Sequence, residues 1–109
     1  MRIAFANDHA AFDQRQAVLD ALRGDGHEVL DFGTKTSEPV DYPDFVAPAA
    51  EALAAGQADR AIVMCGSGVG ASIVANKVPG VRCALITRAE DAPLTRQHND
   101  SNALALSGR

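Results

Sequence analysis

Residues 61–77 read AIVMCGSGVGASIVANK. Ala61 to Cys65 is a continuous apolar run, Val69 to Asn76 has helical spacing, and Gly66, Gly68 and Gly70 lie between them. A continuous rather than alternating apolar run suits a strand of a parallel sheet covered on both faces. Glycines at the junction let the backbone turn sharply and come close to a ligand. The stretch therefore predicts a strand, a tight loop and the start of a helix.

The same alternation continues in both directions. Toward the N-terminus, Ile3 to Ala6 is a strand. Phe12, Val18, Leu19 and Leu22 share a helical face that Gly24 and Gly26 end. Glu28 to Phe32 is a second strand closed by Gly33, and Phe45, Ala49 and Leu53 recur every four residues, so Asp44 to Ala55 is helical. Pro43 stands at the start of that helix, where a missing N–H costs nothing. Toward the C-terminus, Pro79-Gly80 turns the chain and Arg82 to Ile86 is a fourth strand. Ala89 to Gln97 is a helix if Pro93 falls in its first turn, and Ala103 to Leu106 is the fifth strand. This order predicts an α/β fold: a three-layer, Rossmann-like domain on a five-stranded parallel sheet with right-handed crossovers. At 109 residues the chain reads as a single domain, 1–109.

Ligands of such sheets bind beyond the carboxyl ends of the strands. That rule selects Asn7-Asp8-His9, Gly33-Thr34, and Cys65 to Gly70. The first amides of a helix lack internal partners and its dipole favours anions there, so the glycine loop reads as a cradle for a phosphate, a carboxylate or a transient enediolate. A tight turn needing small residues only for packing is the plainer reading. Gly66-Ser67-Gly68-Val69-Gly70-Ala71 also fits the dinucleotide pattern. That pattern normally follows the first strand and needs an acid at the end of the next. Here the next strand ends Ile86-Thr87-Arg88, which leaves only Arg88 for a 2′-phosphate.

Cys65 lies at a strand end beside a helix N-terminus, a setting that lowers a thiol pKa and makes a base or nucleophile. A small buried residue fits the position equally well. Two further stretches are densely polar: NDHAAF from Asn7, and RQHNDSN from Arg96 to Asn102. Histidine moves protons near neutral pH. A lone histidine is more often structural, but two His-Asp-Asn clusters beside an anion loop favour chemistry. His27 begins a strand far from the loop and reads as surface.

Composition removes several classes. The formal charge is -4, with no Trp and one Tyr, so no nucleic-acid partner is expected. No apolar run approaches the ~20 residues that cross a bilayer. Asp8 and His9 come too early for a signal peptide. Cys65 and Cys83 are then reduced thiols in a cytoplasmic protein, with a Cys65–Cys83 disulfide as the bland alternative. No CxxC or paired-His spacing suggests a metal.

Taken together, NDHAAF, DYPDF at 41–45, CGSGVGASIVANKVPGVR at 65–82, RQHNDSN at 96–102 and the closing GR resemble the type B ribose-5-phosphate isomerase family, which includes galactose-6-phosphate isomerase subunits. The resemblance covers the whole chain. It implies cofactor-free interconversion of an aldose and a ketose phosphate, chiefly ribose 5-phosphate and ribulose 5-phosphate, through a cis-enediol. A hexose 6-phosphate such as allose or galactose phosphate is the alternative substrate. Holding a nucleotide or sugar phosphate without turnover is the alternative function. Carried over by motif, Cys65 is the base, Ser67 handles substrate hydroxyl protons, and His98 is the ring-opening acid. Members lacking the cysteine use a glutamate inside the glycine loop, at a place held here by Ala71. The amides of Gly66, Ser67, Gly68, Val69 and Gly70 would stabilise the enediolate. Asp8 and His9 would hold the ring and phosphate, Tyr42 would line the pocket, Asn99 would contact substrate and Arg109 would contact phosphate.

Two expectations about assembly follow. His98 comes after a helix running back from the fourth strand's carboxyl end, so it should emerge at the opposite end of the sheet from Cys65. Chemistry needing both at one sugar implies a homodimer, or a dimer of dimers, with shared sites. The resemblance also implies a helix after the fifth strand and a tail with two phosphate-binding arginines, which the sequence to Arg109 does not contain. Without that helix, the fifth strand would leave an apolar strip at the sheet edge facing water.

Overall fold

A computed structural model describes residues 1–109. Its strands are β1 (Arg2–Asn7), β2 (Glu28–Asp31), β3 (Arg60–Cys65), β4 (Cys83–Leu85) and β5 (Ala103–Ser107). Its helices are α1 (Phe12–Gly24), α2 (Pro43–Ala54), α3 (Val69–Asn76) and α4 (Asp91–Asn99). A single 3-10 turn, His9–Ala11, precedes α1. The strands form one all-parallel sheet in the order β2-β1-β3-β5-β4. The predicted α/β fold is therefore the observed one.

The two faces of the sheet are built differently. One presents Ala4, Ala6, Ala61, Val63, Cys65, Ala103 and Ala105, and packs against Val46, Ala49, Ala50 and Leu53 of α2 and Ala71 and Ala75 of α3. Small residues on both sides let these helices lie close to the strands, which brings the N-terminus of α3 down onto the end of β3. The other face presents Phe5 and Met64, buried with Leu19 of α1, with Ile62 and Leu106 partly buried beside them. On that side α4 leaves a groove of about 330 Å³ between Ala92, Pro93 and Arg96 and the strand residues Ile3, Ile62 and Leu104. The groove lies at the amino ends of the strands and contains none of the candidate site residues.

β5 is an inner strand, between β3 and β4, and the sheet edges are β2 and β4. The expected apolar strip at the edge is thus corrected. On β5, Ala103 and Ala105 are buried while Leu104 and Leu106 are only partly covered. The cause is topological: α4 returns the chain inward across β4, so the last strand fills the place between β3 and β4. Pro93 is the third residue of α4, inside its first turn, where no N–H partner is lost.

Candidate active site

The chain leaves β1 to one side for β2 and then crosses to the other side for β3. The carboxyl ends of β1 and β3 therefore form the point where the sheet's winding reverses, the usual place for a ligand in an open α/β sheet. An open cleft of about 440 Å³ lies there, lined by Asp8, Ala10, Tyr42, Cys65, Gly66, Ser67, Val69, Gly70, Ile73 and Arg109.

Cys65 ends β3 with its side chain toward the α2–α3 face and is 5% exposed. The amide of Gly68 donates to its Sγ at 3.2 Å. Gly68 reaches that position with φ +80°, which a side chain rarely tolerates. The Ser67 hydroxyl accepts from the Val69 amide at 3.2 Å. The amides of Gly66, Ser67, Gly70 and Ala71 have no partner within the chain. The free donors that line the cleft are thus fewer than the sequence led one to expect: Gly68 and Val69 are already engaged, which leaves Gly66, Ser67 and Gly70, while Ala71 is buried in the core.

Tyr42 precedes α2, and its ring lies against Gly70; a Cβ placed on Gly70 would stand 2.6 Å from the ring Cζ. Arg109 lies over Gly66, with its Nη2 3.1 Å from where a Cβ of that residue would be. It is brought there by a short relay. The Gly108 amide donates to Cys65 O at 2.9 Å, the Ser107 hydroxyl donates to Gly66 O at 2.7 Å, and the Arg109 amide donates back to the same hydroxyl at 3.1 Å. Asp8 is 5% exposed, and its Oδ1 accepts from the Ala11 amide at 3.1 Å, capping the turn that carries His9. His9 is not among the cleft's lining residues. Its Nδ1 accepts from the Val40 amide at 3.1 Å, so in the neutral ring the proton is on Nε2.

The cleft thus gathers Asp8, Tyr42, Cys65, Gly66, Ser67, Val69, Gly70 and Arg109, with Gly68 directly behind the thiol. His98 and Asn99 are elsewhere, in the last turn of α4, beside Ala84, Leu94 and Thr95. The Asn99 carbonyl accepts from Arg82 Nε at 2.8 Å. Asn102 is a brace rather than a ligand group, bonding the Arg82 amide and the Gly80 carbonyl. Arg88, the remaining support for a dinucleotide, is paired with Asp91 at 3.0 Å. Cys65 and Cys83 are both free thiols, which removes the disulfide alternative. Burial pushes the Cys83 thiol up to about 11. No group of His, Cys, Asp and Glu is disposed to hold a metal ion, and no helix is long and apolar enough to cross a membrane.

Sequence reading did not single out Arg15 and Asp31. Arg15 is a nearly buried cation on a helix face otherwise read as apolar, and that single misfit was the available signal.

Comparison with known proteins places the chain in a family and agrees with its fold. The family model described as Ribose/Galactose Isomerase matches residues 3–109. Ribose-5-phosphate isomerase B of Escherichia coli K12 is 44% identical over 99% of this chain and 72% of its own length. The solved structure of Clostridium thermocellum ribose-5-phosphate isomerase B superposes with a TM-score of 0.95 at 48% identity, covering 98% of this chain and 72% of that one. That of the Thermotoga maritima ribose 5-phosphate isomerase also gives 0.95, at 44% identity over 99% and 74%. On the match of nearly the whole chain to the family model, with these relatives behind it, the protein belongs to the ribose/galactose isomerase family.

Proposed function

We propose that the protein interconverts ribose 5-phosphate and ribulose 5-phosphate without a cofactor, with Cys65 as the base. One observation carries this reading: Cys65 lines the same cleft as Gly66, Ser67 and Gly70, whose amides have no partner within the chain. In the open-chain aldose, the Cys65 thiolate takes the proton from C2. The electron pair moves onto the C1 carbonyl oxygen, giving an enediolate held by the Gly66, Ser67 and Gly70 amides. The thiol then returns the proton to C1 while Ser67 passes the hydroxyl proton between O2 and O1. The two products differ only in where one hydrogen sits, so no oxidant or reductant is consumed. Asp8 holds the sugar ring. Arg109 meets the phosphate through a charge-assisted contact, and His9 is the second phosphate-binding group that the family resemblance supplies.

Ring opening falls to His98 and substrate contact to Asn99, both supplied by a second copy of the chain, because neither lines the Cys65 cleft of its own subunit. Val69 and Ile73 border the cleft and are 47% and 51% exposed, consistent with a partner seated there. A hexose 6-phosphate substrate is the second reading, favoured by the galactose named in the family description.

The test is turnover of ribose 5-phosphate beside allose 6-phosphate and galactose 6-phosphate, with wild type and Cys65→Ala. The expected result is a clear preference for the pentose and a fall of about 10²–10⁴-fold on Cys65→Ala with folding intact. Near-normal turnover in a folded Cys65→Ala protein would remove Cys65 from the role of base. Binding of all three sugars without turnover would make the protein a sugar-phosphate binding module.

A further inference from the structure

Behind the cleft, between α1 and the ends of β1 and β2, lies a buried polar network that the reaction above does not use. The Asn7 side chain is completely buried at the end of β1. Its Nδ2 donates to the Asp8 carbonyl at 3.0 Å and to the Thr34 carbonyl at 3.2 Å, and its Oδ1 accepts from Arg15 Nη1 at 2.8 Å. Both amide hydrogens and the amide oxygen are engaged, and the flipped amide would oppose donor to donor on one side and oxygen to oxygen on the other. Arg15 in turn grips Asp31 with both arms of its guanidinium, Nη1 on Oδ1 at 2.9 Å and Nη2 on Oδ2. Its side chain is 10% exposed and its Cζ lies 5.7 Å from the centre of the Phe5 ring. Asp31 also accepts from the Gly33 amide at 3.0 Å. A Cβ on Gly33 would overlap Asn7 Oδ1 at 1.9 Å, so the turn closes on this network only with glycine.

We propose that Arg15, acting through Asn7, is a positioning residue for Asp8: the buried Arg15–Asp31 pair orients the Asn7 amide, and that amide fixes the backbone that aims the Asp8 carboxylate into the cleft. The inference rests on the reading of Asp8 as a substrate contact. Two features take the network beyond general stability. Asn7 bonds the carbonyl of Asp8 itself, and it ties that carbonyl to Thr34, the start of the segment that passes Val40 and reaches Tyr42. The two loops that carry Asp8 and Tyr42 to the cleft are thus held to one side chain. Asparagine alone among side chains of this size offers an acceptor to Arg15 and a pair of donors to two carbonyls. Arg15 supplies what lysine cannot: a planar fork that holds Asp31 and Asn7 at once.

The experiment is a double-mutant cycle of Arg15→Lys with Asp8→Ala, assayed for kcat and KM on ribose 5-phosphate. The rate of Cys65 alkylation by iodoacetamide is measured in parallel. Misplacing a contact by a fraction of an ångström to an ångström costs roughly 10–100-fold, so Arg15→Lys should lower kcat/KM by about that factor in the wild-type background. In the Asp8→Ala background the same change should cost less than about threefold, because the residue through which it acts is gone. Cys65 alkylation should be unchanged, whereas general loosening would alter it. If Arg15→Lys does not fold, Asn7→Asp takes its place; it keeps the acceptor for Arg15 and sets an oxygen against the two carbonyls, and the same pattern is expected. An equal loss in both backgrounds, or no loss in either, overturns the proposal. A neutral Asp8→Ala overturns the reading of Asp8 and the proposal with it. A wild type without turnover overturns the isomerase reading instead, and ribose 5-phosphate affinity in the same variants then decides the proposal by the same pattern.

Discussion

Gly70→Ala sets two known effects against each other. Gly70 is the second residue of α3, and alanine at a helical position is favoured over glycine by up to about 1 kcal/mol. The new Cβ would stand 2.6 Å from Tyr42 Cζ, 2.7 Å from Cε1 and 2.8 Å from the phenol oxygen. Comfortable carbon contacts begin near ~3.5 Å, so the ring must retreat by about 1 Å. Overpacking of that degree costs about 1–3 kcal/mol. The clash outweighs the helix gain, leaving a net loss of about 0–2 kcal/mol and a fall in Tm of up to roughly 10 °C. In a Tyr42→Ala background the clash is absent, and the same Gly70→Ala should raise Tm by a few degrees. Thermal melts of the four proteins give the sign directly. Because Tyr42 lines the cleft, KM for ribose 5-phosphate should rise in the single variant. A Gly70→Ala protein that melts higher than wild type and keeps its KM would refute the packing of Tyr42 on Gly70.

The remaining predictions are shorter. Iodoacetamide should modify Cys65 well before Cys83, whose thiol burial holds near 11, and ribose 5-phosphate should protect Cys65; peptide mapping that finds Cys83 modified first contradicts this. Burial raises the Asp31 carboxyl, but the hydrogen bonds from Arg15 and Gly33 and the charges of Arg15 and Lys35 outweigh it, so its folded pKa lies below its unfolded one. Its contribution to stability is therefore complete above about pH 4 and is lost as pH falls through the folded pKa; Asp31→Asn should flatten that acid limb of a denaturation series. Mixing Cys65→Ala with His98→Ala should restore activity through hybrid dimers, and no recovery after proven subunit exchange counts against shared sites.

The fold was legible because each strand is short, apolar and closed by a glycine or a polar cluster, and each helix carries its own period. Val69–Asn76 was read to the residue, since a glycine loop bounds it at one end and Lys77 with Pro79-Gly80 at the other. Boundaries elsewhere moved by a residue or two. Phe32, for example, is extended and donates its amide to Phe5 O, yet lies just outside β2. The strand order was not legible. Nothing local distinguishes an inner β5 from an edge β5, because the choice depends on whether α3 sets β4 directly beside β3 or one strand further out, leaving the gap into which α4 returns β5. That one unread step misplaced the partly covered Leu104 and Leu106 at the edge of the sheet rather than on a face of an inner strand.

Legibility of the site divides along the same line. Residues within one loop, Cys65 to Gly70, could be placed together because the chain itself holds them within a few residues. Asp8 could be brought to that loop by the rule that ligands gather at the carboxyl ends of strands, whereas Tyr42, just before α2, came only from the family resemblance. Arg109 required the β3–β5 pairing that sets Cys65 opposite Ser107, since the Ser107–Gly66 bond is what delivers the arginine to the loop. Arg15 escaped notice for the opposite reason. Its helical position looks like one more misfit on an amphipathic face, and its meaning depends on two residues, Asn7 and Asp31, that meet it only when β1 and β2 pair in register. A buried arginine on an apolar face is costly unless its fork is fully matched. The useful question for such a residue is therefore which backbone groups its partners hold, and here one of those groups, the Asp8 carbonyl, belongs to a residue that lines the cleft.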